Sequence, residues 1–490
     1  MSRARARAAR SALGLACLWP LVAQAQFEAQ ALPMSVQARF DPEHIEGGER
    51  LGLLSTALLF EATPGWWLGP VVVGAATGQR GGFFVLGGQI ERRWRLADQW
   101  RAQVGLMAGG GGGAGTPVGG GLMVQPSASL LYDWGPVQTG VSWSRVNMPS
   151  GQIGSPQWGL IVNWDGRFPF FDATHIGRST PDTARSGLGL DRLSLNTDSV
   201  RWDAQDGRPA GSMRLVGVRA EQQAGQHAYW GVEAAAATHG GADGYMELLG
   251  TLGWETSAAA WGLAPLRVGV RGALGLGGGG AVETGGGVLG KAAGVLRWQW
   301  HPDVFVGLEA GAVRSAGGGY RARYAQLQLG LQLDHPGRAG EARVVGMDWA
   351  ASLQHVTRAA RKDGSVLALD TMGIKVRRQA WDQVYLTGQA HSAFAGRAGA
   401  YSMGLAGVGW GSTPGQSGWS LGAELMAGAA GGGGVATQGG AVAQAMVYAG
   451  RSFGAGSLQL GAGRIRSQHG DLNSPVLDIS WNLRFGLGQR

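Results

Sequence analysis

The sequence predicts an all-β chain that forms a transmembrane antiparallel β-barrel of about 24 strands, built from three internal repeats of eight strands. Three observations lead to this fold class. Apolar and polar residues alternate along many short segments, a glycine cluster recurs three times, and tryptophans stand near the ends of the alternating segments.

Alternation is clearest near the end of the chain. Every second residue from Leu477 to Phe485 is apolar, and the residues between them are polar. Successive side chains on a strand point to opposite faces, so this segment is predicted to be a strand with one apolar and one polar face. The same pattern occupies residues 325–333 and 157–164.

The glycine cluster occurs at residues 107–121, 273–287 and 426–440, so its copies start 166 and 153 positions apart. Each copy lies between two alternating segments, which predicts a flexible hairpin loop and, because it recurs, a repeated structural unit. The alternative is a close-packed backbone surface that binds a polymer or a partner. Eight alternating segments can be placed in each unit. The predicted divisions are a signal peptide at 1–25, barrel repeats at 26–172, 191–333 and 342–490, and a linker or lumen segment at 173–190.

The first residues have the features of a cleavable signal peptide. A basic stretch precedes the apolar run Leu13 to Val22, and Ala23-Gln24-Ala25 provides a small-x-small cleavage site. Without residues 1–25 the chain has 37 basic and 33 acidic residues, a net charge of +4 that does not indicate nucleic-acid binding. The only cysteine, Cys17, leaves with the signal, so no disulfide or thiolate metal site is expected.

The aromatic residues favour a membrane barrel over a water-soluble β-sandwich. The chain contains 20 tryptophans, and many of them lie near strand ends, where the bilayer–water boundary would accommodate a partly buried ring with a wet N–H. After the signal peptide no window reaches the roughly 18 apolar residues of a spanning helix. Strands in a closed ring are then the remaining way to cross lipid.

With its signal peptide, its even number of alternating strands and a final strand ending in Trp481-Asn482-Leu483-Arg484-Phe485, the chain resembles bacterial outer-membrane β-barrel proteins of the porin-like class. The resemblance covers essentially all residues after the signal peptide and singles out no specific family. It implies the outer membrane of a Gram-negative cell, with outer-membrane lipids and the barrel assembly machinery as partners. Family members commonly end on an aromatic residue, whereas five residues follow Phe485 here.

The polar face of the strands is where a pore would be lined. The predicted pore-lining residues are Arg267, Arg271, Glu309, Gln326, Gln328, Gln332, Asp478, Asn482 and Arg484. Their mixed signs and many amides favour a neutral cargo over a selected ion. The first functional hypothesis is therefore a passive or partner-gated outer-membrane channel, formed by one ring of 24 strands, for a large or neutral cargo such as an exported polysaccharide, with a periplasmic export partner.

The second hypothesis is a structural or adhesive surface barrel that displays the glycine-rich loops and transports nothing. It requires separate eight-strand barrels, or collapse of the ring, because small inward residues cannot fill a wide lumen. Closure of the strands into one ring or into three rings discriminates the two hypotheses.

An enzymatic function is not predicted. Asp348, Ser352 and His355 are close in sequence, but His355 has the opposite parity on the strand, and neighbours such as His391 and Ser392 point to opposite faces. The nine histidines are scattered without metal-ligand spacing, so neither a metal nor a cofactor is expected.

Overall fold

The computed structural model describes residues 28–44, 49–181, 185–204, 209–259, 262–335, 340–412, 418–454 and 456–490. The predicted signal peptide lies outside these residues. Within them the regular structure is almost entirely β, and no helix is long and apolar enough to span a membrane.

The first eight strands form a closed antiparallel ring, called barrel 1. The strand β1 pairs with β2 on one side and with β8 on the other, so the ring has no free edge. The strands are β1 (Gln30–His44), β2 (Arg50–Thr63), β3 (Trp66–Thr77), β4 (Phe84–Arg95), β5 (Trp100–Gly112), β6 (Leu122–Asp133), β7 (Val137–Asn147) and β8 (Gly154–Asp172).

A second ring, barrel 2, closes where β10 pairs with β17. Its strands are β10 (Arg192–Trp202), β11 (Gly211–Ala224), β12 (Ala228–His239), β13 (Met246–Ala258), β14 (Leu263–Gly278), β15 (Val288–His301), β16 (Val304–Ser315) and β17 (Arg321–Gln332).

A third ring, barrel 3, closes where β18 pairs with β25. Its strands are β18 (Ala342–Ala360), β19 (Val366–Gln379), β20 (Val384–Ala395), β21 (Ser402–Gly411), β22 (Trp419–Gly431), β23 (Ala441–Phe453), β24 (Gly456–Ser467) and β25 (Asn473–Gln489).

These closures confirm the prediction of an all-β antiparallel barrel architecture and overturn the prediction of one ring of 24 strands. The first strand of each unit pairs along its length with the last strand of the same unit, so no wide common lumen forms. The sequence alternation is equally compatible with one ring or three, because it fixes the face of each side chain and not the partner of each strand.

The faces of the barrels are arranged as in a membrane protein. Large apolar residues, Leu160, Leu252 and Leu425 among them, are exposed on the outside, while charged and amide side chains are buried inside. Outward tryptophans gather at the end of the barrels that holds the β2–β3 turn and its counterparts, called the terminus end. They are Trp66, Trp94, Trp100, Trp134, Trp164, Trp230, Trp254, Trp298, Trp300, Trp381, Trp410 and Trp419. An apolar belt edged by aromatic residues is the lipid-facing surface of membrane barrels.

The opposite end of the barrels, called the loop end, holds the β1–β2, β3–β4, β5–β6 and β7–β8 connections and their counterparts. Each barrel has an apolar core that includes residues of these loops. Phe83 and Val118 join that core in barrel 1, Tyr245 in barrel 2, and Tyr401 and Val435 in barrel 3. The loops therefore close the barrels at this end instead of opening them to solvent.

The segment 173–190 was predicted to be a linker or a lumen plug. Its described residues form a short 3₁₀ turn (Ala173–His175) and a two-residue strand, β9 (Ser179–Thr180), that pairs with β18. Further on, the Ser186 hydroxyl donates to the Gly488 carbonyl at 2.9 Å. The segment lies against the rim of barrel 3, where Ala173 and Thr174 also line the pocket at that end of the barrel.

The three glycine clusters join the barrels to one another. The last glycine of each cluster has a positive φ and lies on the backbone of the next barrel, where a Cβ would stand within 2.2–2.5 Å of a carbonyl oxygen. The three contacts are Gly121 on Ala393, Gly287 on Ala75 and Gly440 on Ala237. Barrel 1 thus contacts barrel 3, barrel 2 contacts barrel 1, and barrel 3 contacts barrel 2, so the contacts are cyclic.

This packing corrects the prediction that the clusters are flexible surface hairpins. Glycine permits the positive φ and the close approach of two backbones, and both conditions hold at these positions. Hydrogen bonds between barrels accompany the contacts: the Gly81 N–H donates to Gly285 O at 2.6 Å, and the Gly399 N–H donates to Gly119 O at 3.2 Å. The clusters therefore form contacts between neighbouring barrels, and each such contact is called a seam.

Barrels 1 and 3 have a second contact at the terminus end. Short pairing joins β8 to β25, and aromatic rings of both barrels pack together beside it. Phe168 of barrel 1 lies 5.2 Å from Trp349 and 5.6 Å from Phe485 of barrel 3, measured between ring centroids. Phe60 also lies 5.5 Å from Trp349.

Candidate functional site

A transport path would run through the interior of a barrel, and in barrel 2 this interior is filled by ion pairs. Glu309 on β16 is central: it accepts hydrogen bonds from Arg219 at 3.0 Å, from Arg271 Nε at 2.9 Å and from Gln328 at 3.1 Å. These strands direct their charged residues inward because alternate positions face the lumen. The residues are buried, so their charges are compensated by one another.

Two further groups close the same lumen. Lys291 lies among three carboxylates, with Nζ 3.6 Å from Asp198, 3.5 Å from Glu233 and in contact with Glu247. Nearer the terminus end, the Arg297 guanidinium forms ion pairs with two carboxylates, those of Glu221 at 2.9 Å and Glu255 at 2.6 Å.

The cluster of Asp198, Glu233 and Glu247 has a spacing that a metal ion could use. The ammonium of Lys291 occupies the position between these carboxylates and supplies the compensating charge. The residues present therefore form an ion-pair cluster rather than a cation site.

Barrel 3 has a mixed interior of charges and amides. Lys375 Nζ lies 2.8 Å from Asp478 and donates to the Tyr448 hydroxyl at 2.9 Å. Arg377 Nε donates to Glu424 at 2.6 Å, and Arg377 Nη1 donates to Asn482 at 3.2 Å. Deeper toward the loop end, a ladder of neutral amides follows, formed by Gln354, Gln389 and Gln444.

Barrel 1 is closed by a smaller set of similar contacts. Arg39 pairs with Asp41 at 2.8 Å, and Gln125 donates to Asp41 at 2.9 Å. Arg93 pairs with Glu91 at 2.6 Å, and Gln89 donates to Glu91 at 2.9 Å. An eight-stranded ring is only wide enough for its own side chains, which is what these interiors show.

One interior does widen into a pocket. At the terminus end of barrel 3 a polar vestibule of about 480 Å³ is lined by Asp348, Arg377, Tyr385, Asn482 and Arg484, among others. Arg484 lies 3.9 Å from Asp348, and Tyr385 donates to Glu424 at 3.0 Å at its base. The vestibule ends on the Arg377–Glu424 pair, which separates it from the amide ladder.

The predicted pore-lining residues lie in two different barrels. Arg267, Arg271, Glu309, Gln326, Gln328 and Gln332 belong to barrel 2, and Asp478, Asn482 and Arg484 to barrel 3. Most are buried and paired: Gln326 donates to Asp198 at 2.7 Å, for example, and Gln332 donates to the Asp334 carbonyl at 2.7 Å. Arg267 is partly exposed and pairs with Glu255 at 3.0 Å. The structure does not bring the nine residues together around one pathway.

Sequence reasoning missed the charged residues that close the lumens, chiefly Arg219, Glu233, Lys291, Arg377 and Glu424. A signal was present, because residues of opposite sign occupy inward positions on strands that become neighbours. In a narrow ring, inward residues of opposite charge on neighbouring strands are close enough to form buried ion pairs.

The catalytic candidates are separated in the structure. Ser352 donates to Asp478 at 2.7 Å inside barrel 3, whereas His355 contacts Asp370 at 2.6 Å on a partly exposed face. His391 is buried inside the barrel, while the Ser392 hydroxyl lies 2.8 Å from the Ser402 hydroxyl on the other face. No Ser–His pair forms among these residues.

Comparison with known proteins gives low similarities. No protein-family model and no curated protein matches the chain. Among solved structures, a siderophore receptor, PirA from Acinetobacter baumannii, is 10% identical with a TM-score of 0.29, covering 93% of this chain and 80% of its own. OpdK from Pseudomonas aeruginosa is 8% identical with a TM-score of 0.23, covering 93% and 98%.

The ferric enterobactin receptor mutant of Pseudomonas aeruginosa is also similar, at 10% identity and a TM-score of 0.27, covering 94% of this chain and 82% of the receptor. At such TM-scores the likeness says nothing about function. The assignment as a barrel of the outer-membrane type rests on the ring closures, the exposed apolar belt and the polar interiors.

Proposed function

We propose that the protein is a structural outer-membrane protein, in which three closed barrels are joined into one lipid-embedded assembly without a permanently open pore. The observation that supports this function is the filling of every lumen by paired charges and amides. A solute crossing barrel 2 would have to separate several buried pairs, and breaking one such pair costs about 3–5 kcal/mol. Separate eight-strand barrels are also what the structural hypothesis required.

The chain reaches the outer membrane of a Gram-negative cell by a cleavable signal peptide, is inserted by the barrel assembly machinery, and is solvated by outer-membrane lipids. The terminus end faces the periplasm and the loop end faces the cell exterior. The three barrels are copies of one repeated unit, and the protein has no catalytic activity, cofactor or nucleic-acid partner.

Planar-bilayer recording of the purified protein tests this function. The wild type is expected to insert without stepwise conductance. The double variant Lys375→Ala with Arg377→Ala removes two charges from barrel 3 but leaves the amide ladder and the loop-end core with Tyr401 and Val435, so it is also expected to insert without conductance. Stable unitary currents from the wild type would contradict the proposal.

A second candidate function is a gated channel through barrel 3. It is favoured by the vestibule, which leads through Arg377 to the amide ladder and offers a neutral path if the Arg377–Glu424 pair moves. Transport of a neutral cargo such as an exported polysaccharide, with a periplasmic export partner that opens the gate, belongs to this candidate. Reversal of ion selectivity by Arg484→Glu at the vestibule mouth supports it, and unchanged selectivity argues against it.

A further inference from the structure

The three barrels border a partly open cavity between their outer walls, separate from all three lumens. Its volume is about 1010 Å³, and every barrel contributes to its lining. Barrel 1 provides Val72 and Leu86, and barrel 2 provides Val216 and Leu248. The cavity therefore exists because the glycine clusters hold the three rings together. Its size is at the upper end of the ~300–1,000 Å³ that is usual for ligand pockets.

The wall supplied by barrel 3 consists of small residues. Outward positions that elsewhere carry Leu, Val or Trp are here Gly404, Ala406, Ala427 and Ala443. The backbone at Gly404 has an ordinary φ, and a Cβ placed there would meet nothing within 4 Å. Space is therefore created by the absence of side chains, and a larger residue would fit into it without disturbing the strand.

We propose that this cavity is a binding site for the acyl chains of a phosphate-bearing membrane lipid. The inference rests on the membrane placement proposed above. The lining is the continuation of the lipid-facing surface, so in a bilayer the cavity lies at the depth of hydrocarbon. Most of its lining is apolar, which favours acyl chains over water.

A cation stands where the headgroup would lie. Arg466, near the loop-end limit of β24, lines the cavity, is exposed, and makes no ion pair with any described residue. Next to it along the chain Gln468 lines the cavity as well, and His239 of barrel 2 does so from the other side. Guanidinium binds phosphate through two parallel hydrogen bonds, which makes an anionic phosphate the fitting partner of Arg466.

The experiment is native mass spectrometry of the full chain released from nanodiscs that contain palmitoyl-oleoyl phosphatidylglycerol and phosphatidylethanolamine, with lipid A in a second arm. The wild type is expected to retain one lipid at energies that strip the belt lipids. Gly404→Leu is expected to reduce retention roughly tenfold because it fills the cavity. Gly294→Leu is the matched control, since Gly294 is outward on barrel 2 with nothing within 4 Å of its Cβ and is not part of the lining.

A second pair of variants tests the headgroup. Arg466→Gln is expected to lower retention of phosphatidylglycerol at least threefold, whereas Arg464→Gln, on the same face of β24 and outside the lining, leaves it unchanged. Retention in either lipid arm supports the site and names its source. No retained lipid, equal retention by both glycine variants, or a retained second copy or peptide overturns it. Folding is followed in parallel by the heat-dependent shift on electrophoresis, so failure of this site is distinguishable from failure of membrane insertion.

Discussion

Replacing Glu309 by Gln tests whether paired charges hold the barrel 2 lumen closed. The amide has nearly the same volume as the carboxylate but no charge, so it leaves Arg271 and Arg219 with less compensation. Arg219 keeps Glu233, whereas Arg271 keeps only a longer ion pair with Glu233 at 3.5 Å and a hydrogen bond to the Tyr324 hydroxyl at 3.2 Å. Removing one member of a buried pair costs about 3–5 kcal/mol, so the unfolding equilibrium of barrel 2 should shift by roughly a hundredfold or more.

The assay is urea unfolding in phospholipid vesicles, followed by hydrogen exchange of peptides from β14 and β16. Asp203→Asn is the control, because it removes a carboxylate from an exposed position that follows β10. Adding Arg271→Met to Glu309→Gln should recover part of the loss, with a coupling of about 0.5–3 kcal/mol, since the unpaired charge is then gone. If Glu309→Gln and Asp203→Asn unfold alike, the ion pairs do not hold the lumen closed.

The remaining predictions concern the seams and the lipid belt. In Gly110→Leu the new Cβ would lie 2.6 Å from Ser392 O, so we expect about 1–3 kcal/mol of destabilisation where barrel 1 contacts barrel 3. Faster proteolysis at this contact measures the effect, and the control Gly294→Leu should leave the proteolysis rate unchanged. Phe485→Ala removes a ring that is 9% exposed and contacts Phe168, and about 3–5 kcal/mol should be lost, read from urea unfolding; a loss below 1 kcal/mol would show that the cluster contributes little. Tryptophan fluorescence should be quenched more by lipids brominated near the headgroup than near the chain end, and the reverse order would contradict the aromatic belt.

Most of the strands could be predicted from the sequence because their pattern is local. The alternation from Leu477 to Phe485 falls on β25, which runs on to Gln489. Ring closure could not be predicted in the same way, because pairing of β1 with β8 is a contact between distant segments that alternation does not specify. The single ring of 24 strands was wrong for this reason.

The interior was predicted only in part. Parity correctly placed residues such as Glu309 and Asp478 on the inner face, but the width of the ring decides whether such residues line water or bind each other. A close-packed backbone surface was only the alternative prediction for the glycine clusters, and their packing against other barrels of the same chain was missed, although small residues at outward positions such as Gly110 are a signal of close packing between membrane elements. Small outward residues can be assigned to a contact only when it is known which barrel walls face each other.

The cyclic contact of the three barrels has a consequence for how one chain differs from three identical subunits. In a homotrimer the three junctions are identical by symmetry, whereas here each has its own chemistry. Barrels 1 and 3 share the Phe168–Trp349 cluster, barrels 2 and 3 share the Lys362–Asp243 ion pair at 2.8 Å, and barrels 1 and 2 meet through glycine backbones such as Gly81 on Gly285. Because the three barrels belong to one chain, each junction can have a different strength. We expect the assembly of three barrels to separate first between barrels 1 and 2.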